Sequence, residues 1–141
     1  MPPMTPLQTT RFLAYGTRTG KLATTRPDGR PHVTPIWFVL DGDDLVFTTA
    51  ATSVKGRNLQ RDGRAAIAVD DQAPPYSYVM IEGEARCTDD PDELLHWATK
   101  IGARYMGDHR ADEYGQRNGV EGELLVRVTP QKVVAQARVA E

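Results

Sequence analysis

The pattern of apolar and polar residues predicts a mainly β protein. Runs rich in β-branched and aromatic residues recur along the chain, and several alternate with the period of a strand. The segments around Asp28-Gly29 and Gly42 carry turn residues between two such runs, as β-hairpins require. The predicted strands cover residues 20–25, 32–40, 44–49, 64–70, 76–88 and 121–135. Pro130 is expected to interrupt the last strand, because proline cannot donate to the ladder.

Helical patterns are fewer. Apolar residues predict a short helix over residues 7–16. A stronger helix follows Asp90, which suits the N-cap, with Pro91 at the first helical position and Glu93 at the third. The polar segment 107–119 is expected to be a loop. Apolar residues recur at helical spacing after the cap, at Leu94, Trp97, Ala98, Ile101 and Tyr105.

Six strands with few helices and several tight turns indicate a mostly antiparallel sheet, which closure into a barrel would protect at its edges. The predicted strand 32–40 is apolar on both faces near its end. One face must pack in the core. The other needs a partner subunit, a ligand or the chain's own helices, and the residues alone leave these alternatives open. The two faces carry Ile36, Phe38 and Leu40, and Val33, Trp37 and Val39.

Composition narrows the class of protein. The 141 residues suggest one domain over 1–141. A net charge of −2 gives no general field for nucleic acid. The single cysteine, Cys87, excludes an internal disulfide and fits a cytoplasmic protein. No apolar run approaches the ~18 residues of a membrane span, so no membrane association is expected. The N-terminal segment lacks the basic and apolar regions of a signal peptide.

A basic segment gives the first hint of function. Ser53 can cap a helix running to Arg61, since its hydroxyl can accept from a first-turn N–H group. Cations near a helix N-terminus are electrostatically unfavourable unless an anion binds there. A phosphate site and a solvated basic turn are both consistent with the pattern. The groups available to an anion are the hydroxyls of Thr48, Thr49 and Ser53 and the cations Lys55, Arg57 and Arg61; Arg64 opens a strand and could simply face solvent.

Other chemistries find little support. The chain has no G-x-S-x-G and no G-x-G-x-x-G motif, so a nucleophile elbow and a Rossmann site are not expected. His32, His96 and His109 lack metal-ligand spacing with each other and with Cys87, so no metal site is expected. No side chain stands out as catalytic.

Two linked stretches carry a family resemblance. "GKLATTRPDGRPHVTPIWFVLDGDDLVFTT", residues 20–49, and "KGRNLQRD", residues 55–62, resemble the pyridoxamine 5′-phosphate oxidase-like flavin and deazaflavin reductases. They are most similar to the small actinobacterial branch that uses coenzyme F420. The resemblance implies a six-stranded antiparallel split β-barrel with a few flanking helices, and a homodimer with two cofactor sites at its interface.

The resemblance also implies which residues bind the cofactor, F420 or alternatively FMN. Those around the phosphate and its linker would be Ser53, Val54, Lys55, Arg57 and Asn58. Those along the ring would be Thr34, Pro35, Ile36 and Trp37, with Thr48 and Thr49 nearby, and Tyr76 or Tyr78 would approach from the second chain.

The implied activity is hydride transfer from the reduced deazaflavin to a small acceptor such as an enone, a quinone or a tetrapyrrole. An FMN-binding oxidoreductase of the same fold and a non-catalytic protein that binds the cofactor or a tetrapyrrole are the alternatives.

Overall fold

The computed structural model describes residues 2–141 and contains seven strands in one antiparallel sheet. The sheet order is β2-β1-β5-β6-β7-β4-β3. None of the helices in residues 2–141 is long and apolar enough to cross a membrane. The elements in chain order are α1 Pro6–Ala14, β1 Gly20–Thr25, β2 Pro31–Ile36, β3 Val39–Asp41, β4 Asp44–Ala50, α2 Val54–Arg61, β5 Arg64–Asp70, β6 Tyr78–Thr88, α3 Pro91–Met106, a 3₁₀ turn Asp108–Arg110, α4 Ala111–Asn118 and β7 Glu123–Gln136.

The sheet curls into the predicted split barrel. β2 and β3 form the two edges of the sheet, yet only Trp37 and Phe38 separate them along the chain. The two edges therefore meet at this two-residue gap. The barrel interior is filled by large apolar side chains, of which the most fully buried include Leu22, Phe38, Phe47, Ile67, Ile81 and Val126.

The prediction of a single strand over 32–40 is wrong. The segment forms two strands, β2 and β3, so the structure has seven strands instead of six. The backbone of Phe38 binds side chains of α3 instead of a neighbouring strand. Its N–H donates to the Tyr105 hydroxyl at 3.1 Å, and its carbonyl accepts from Arg104 at 2.7 Å. Strand pairing stops there because both polar groups of the Phe38 backbone are already satisfied.

The loop predicted over 107–119 is also wrong, because this segment forms the 3₁₀ turn and α4. Although its sequence is polar, this segment packs closely on α3 through small residues. A Cβ on Gly102 would lie 2.7 Å from Tyr114 Cβ, and a Cβ on Gly115 would lie 2.1 Å from Thr99 Oγ1. α3 and α4 can pack this closely only because both positions are glycine.

The expected interruption at Pro130 takes a milder form. β7 continues through the proline, but its register with β6 shifts between Glu82 and Gly83, where Gly83 pairs with Pro130 and Glu82 with Lys132. Gln131 is thus the extra residue of a bulge, a usual place for proline in a sheet. The predicted hairpin turns are present, with Gly29 and Gly42 at positive φ.

Candidate functional site

A cleft of about 330 Å³ lies where the end of β2, the second half of β4 and the start of α2 come together. Helices α3 and α4 and the first residue of β7 complete its walls. It brings together six of the predicted cofactor residues, Pro35, Ile36, Trp37, Thr48, Thr49 and Lys55, and adds three that the sequence did not suggest, Ile101, Asn118 and Glu123.

A larger groove, of about 670 Å³, lies between α1, the β3–β4 hairpin and the second half of β7. Its lining is largely apolar, and Asp43 is its one charged residue among those the structure describes. None of the predicted site residues lines it, so the smaller cleft is the better candidate for a phosphorylated ligand.

The N-terminus of α2 is held against the end of β4 by tight packing. A Cβ on Gly56 would lie 2.2 Å from the Ala50 carbonyl oxygen, so this glycine allows the approach. Ser53 caps the helix as predicted, with its Oγ accepting from the Gly56 N–H at 3.0 Å. Ser53 Oγ also donates to the Ala50 carbonyl at 2.8 Å and lies 3.0 Å from Thr49 Oγ1. Its hydrogen-bonding capacity is thus taken up within the protein.

The first-turn N–H groups of Val54 and Lys55 remain for an anion, because an α-helix leaves its first N–H groups without intrahelical partners. Lys55 extends its charge into the same cleft. Within residues 2–141, neither Lys55 nor Arg57 makes an ion pair closer than 4.0 Å. Lys55 and a helix N-terminus are therefore available to an anion at this point, whereas Arg57 is unpaired but does not line the cleft.

The other two cations of the basic segment have partners in the protein. Arg61 donates to the Thr25 carbonyl and to Asn58 Oδ1. Arg64 pairs with Asp62 at 2.7 Å, and this side-chain hydrogen bond lowers the pKa of Asp62 to about 2. The sequence placed these four cations together, and the structure separates them into an available pair and an engaged pair.

Seven of the predicted residues do not line the cleft. Ser53 and Val54 form the N-terminus of α2 beside it, and Arg57 is exposed further along the same helix. Asn58 is 2% exposed and donates to Thr24 Oγ1 at 3.0 Å, so its side chain is directed into the protein. Thr34 precedes the cleft-lining part of β2, and its Oγ1 is buried without a hydrogen-bond partner in the described residues. Tyr76 and Tyr78 lie near the opposite end of β7 from the cleft, since Tyr78 pairs with Gln136 whereas Glu123 pairs with Ala50.

Trp37 forms a rigid wall of the cleft. Its ring stacks on Tyr105 with centroids 5.1 Å apart and packs at a tilt on Tyr114 at 5.9 Å. The Tyr105 hydroxyl is fixed in turn, donating to the Arg18 carbonyl at 2.8 Å, and burial raises the pKa of Tyr105. The chain's own helices thus pack on Trp37. This was one of the alternatives left open for the outer face of residues 32–40.

The same helices cover Val39, which packs on a cluster that contains Trp97. Only Val33 of that outer face is left exposed, at 65%. The apolar character of this face therefore gives less support to a subunit interface than the sequence suggested.

Glu123 is the charged residue among the three that the sequence did not suggest. It opens β7 opposite Ala50 at the end of β4. Its Oε2 is buried and has no hydrogen-bond partner in the described residues. Burial raises the pKa of the Glu123 carboxyl, and the positive charge of Lys55 opposes that rise. No local motif marks the position, because an acidic residue after a turn is ordinary in a surface loop.

Taken together, the groups of the cleft suit a planar ligand that carries a phosphate. Trp37 and the end of β2 form part of its wall, two threonines line it, and the unpaired Lys55 lies at a helix N-terminus. The buried, unpartnered Glu123 Oε2 adds a polar group in need of a partner.

Comparison with known proteins identifies the family. Residues 8–137 match the model of the pyridoxamine 5′-phosphate oxidase family. The chain belongs to this family. The recognised segment includes every predicted cofactor residue, and the split barrel is confirmed by the solved structures described next.

Three solved structures illustrate the likeness. A conserved hypothetical protein from Mycobacterium tuberculosis is 27% identical with a TM-score of 0.84, over 96% of this chain and 86% of that chain. A structure named F420 reductase is 29% identical with a TM-score of 0.68, over 87% and 94%. HutZ, the heme storage protein from Vibrio cholerae, shares the fold alone, at 21% identity and a TM-score of 0.72 over 92% and 95%. The pyridoxamine 5′-phosphate oxidase family and its structural neighbours thus include oxidoreductases.

Proposed function

We propose that this protein is an F420-dependent reductase that passes hydride from the reduced deazaflavin to a small organic acceptor, such as an enone, a quinone or a tetrapyrrole. The observation that carries the proposal is the meeting of an unpaired Lys55 and the N-terminus of α2 with the Trp37 wall in one cleft. The likeness to an F420 reductase at 29% identity supports the choice of a deazaflavin.

The residues of this chain would bind and orient the cofactor. Lys55, Arg57 and the first-turn N–H groups of α2 would hold its phosphate through charge-assisted hydrogen bonds. Pro35, Ile36 and Trp37 would lie along the ring, with the hydroxyls of Thr48 and Thr49 at its edge. The cofactor supplies the hydride, and the protein fixes one ring face toward the acceptor and limits access by water.

A second copy of the chain completes the proposed site. The cleft, at about 330 Å³, lies near the lower limit for small-molecule sites and is open on one side. Tyr76 and Tyr78 cannot reach it within their own chain, because they lie near the far end of β7. In a homodimer they would close the neighbouring site from across the interface.

A titration of the purified protein with F420 and with FMN tests the proposal. We expect F420 to bind with a saturable change in its absorption and FMN to bind more weakly. Stoichiometric FMN after purification, with no binding of F420, would instead support an FMN-dependent oxidoreductase, whose phosphate the same cations could hold.

Turnover separates an enzyme from a carrier. The reduced cofactor is mixed with a panel of enones, quinones and tetrapyrroles, and its oxidation is followed optically. Oxidation that depends on both protein and acceptor is the expected result. Tight cofactor or tetrapyrrole binding without oxidation across the panel would indicate a storage or binding role and would refute the reductase.

A further inference from the structure

Glu123 occupies an unusual electrostatic position. Its carboxyl lies in the same cleft as Lys55, but no ion pair within 4.0 Å joins the two in the structure. Its Oε2 is buried and lacks any hydrogen-bond partner among residues 2–141. An ionised carboxylate with this oxygen buried and unpartnered loses part of its hydration without compensation, whereas a neutral acid loses less.

The groups facing Glu123 offer little that would stabilise its ionised form. β4 contributes the neutral hydroxyls of Thr48 and Thr49, and β2 contributes the Trp37 ring. α3 and α4 contribute Ile101 and Asn118, which carry no charge. Of the cleft residues the structure describes, Lys55 on α2 is the other titratable group, and it lies beyond ion-pairing distance.

We propose that Glu123 holds a proton in this cleft and that its carboxyl donates this proton in a hydrogen bond to the bound cofactor, so that cofactor binding is linked to uptake or retention of that proton. The inference rests on the proposed function for the identity of the ligand. A neutral Glu123 supplies a carboxylic acid donor beside the hydroxyls, the Asn118 amide and the cation of the cleft. An ionised Glu123 supplies only acceptors and repels the negative phosphate that Lys55 attracts.

Proton linkage predicts the direction in which cofactor affinity changes with pH. When the complex requires the protonated acid, affinity is highest below the pKa of Glu123 in the free protein. Above that pKa the affinity falls with pH, by up to about tenfold per pH unit for one proton. Replacement by the isosteric amide keeps a donor and removes the titration. Glu123→Gln therefore separates the hydrogen bond from the charge.

The first experiment measures F420 affinity between about pH 5 and pH 8, a range where an ordinary glutamate of pKa about 4.3 is already largely ionised. The parent, Glu123→Gln and the matched control Glu121→Gln, an exposed carboxylate in the preceding turn, are compared. We expect the ratio of parent to Glu123→Gln affinity to fall at least about tenfold across this range. The control should follow the parent, and the comparison cancels any titration of the cofactor itself.

The second experiment needs no ligand. Infrared difference spectra between the parent and Glu123→Gln should contain the carbonyl band of a protonated carboxylic acid above pH 5. In Lys55→Ala that band should persist to higher pH, because the opposing positive charge is gone. This second variant keeps the test decisive if Glu123→Gln does not fold, since the parent and Lys55→Ala bands are then compared directly.

The outcomes distinguish the two proposals. Parallel pH profiles for the parent and Glu123→Gln, or no acid band above pH 5 in any protein, would overturn the role of Glu123. If neither F420 nor FMN binds the parent, the proposed function fails, and the infrared band alone decides whether Glu123 keeps its proton.

Discussion

Substitution of Lys55 by alanine tests the phosphate site most directly. Lys55 lies in the first turn of α2, lines the cleft and has no ion-pair partner within residues 2–141. Its removal should therefore weaken cofactor binding without breaking an interaction that the free protein needs. A charge-assisted hydrogen bond contributes roughly 1.5–3 kcal/mol, so the dissociation constant should rise about 10- to 150-fold. Arg57→Ala should act in the same direction.

The stability of the cofactor-free variant should change little. Loss of a cation from the first turn of a helix removes an unfavourable dipole interaction of about 0.3–1 kcal/mol. At pH values where Glu123 is ionised, loss of the attraction between Lys55 and Glu123 acts in the opposite direction. We expect the free energy of unfolding, measured by urea titration, to stay within about 1 kcal/mol of the parent.

Arg64→Ala is the matched control, since it removes the same charge from the same segment. The charge of Arg64 is already paired with Asp62, whereas Lys55 and Arg57 have no such partner, so F420 affinity should remain within twofold of the parent, about 0.4 kcal/mol. Arg61→Ala should have an intermediate effect, because Arg61 already donates to the Thr25 carbonyl. Affinities within about twofold of the parent for both Lys55→Ala and Arg57→Ala would refute the phosphate site and leave a solvated basic turn.

Further predictions concern the packing and assembly around the cleft. Gly56→Ala should destabilise the protein by roughly 1–3 kcal/mol in urea titrations, because its Cβ would overlap the Ala50 carbonyl oxygen; an unchanged midpoint would contradict the close packing of α2. Arg104→Ala should cost more than about 2 kcal/mol, since Arg104 donates to three backbone carbonyls, whereas the exposed Arg117→Ala should cost within about 0.5 kcal/mol. Without ligand, the thermal stability of Glu123→Gln relative to the parent should rise as pH increases above about 4.3, the ordinary glutamate pKa. The reason is that a carboxyl whose pKa is raised by folding destabilises the folded protein once pH exceeds its pKa in the unfolded chain. A stability difference that does not change with pH would argue against burial of the charge. Sedimentation at micromolar concentration should give twice the 15.6 kDa of one chain, and a purely monomeric species would remove the basis for a site shared by two subunits.

Features set by neighbouring residues could be predicted from the sequence. Ser53 and Asp90 cap α2 and α3 where expected, because a cap needs only a side-chain oxygen and an N–H group three residues later. The hairpin turns at Gly29 and Gly42 are equally local. The antiparallel sheet followed from the number of strands and their short connections, and the split barrel followed from the family resemblance.

Features that depend on distant contacts could not be predicted. α4 looks like a loop because its stability comes from glycine-to-side-chain packing against α3, which leaves no apolar periodicity. Glu123 reaches the cleft only through the register of β7 on β4, where it lies opposite Ala50. A sequence shows which residues begin a strand, but it does not show which residue of another strand they face.

The α3–α4 hairpin has a consequence for how this protein could diversify. The strand pairs of the barrel form without any residue of the hairpin, yet Ile101 and Asn118 supply one wall of the cleft. If the cleft binds as proposed, substitutions at these two positions would reshape the space offered to an acceptor while Lys55 and the strand ends proposed to hold the cofactor stay where they are. Selection on acceptor size and selection on cofactor retention would then act on separate parts of the chain, so a new substrate preference could evolve without rebuilding the barrel.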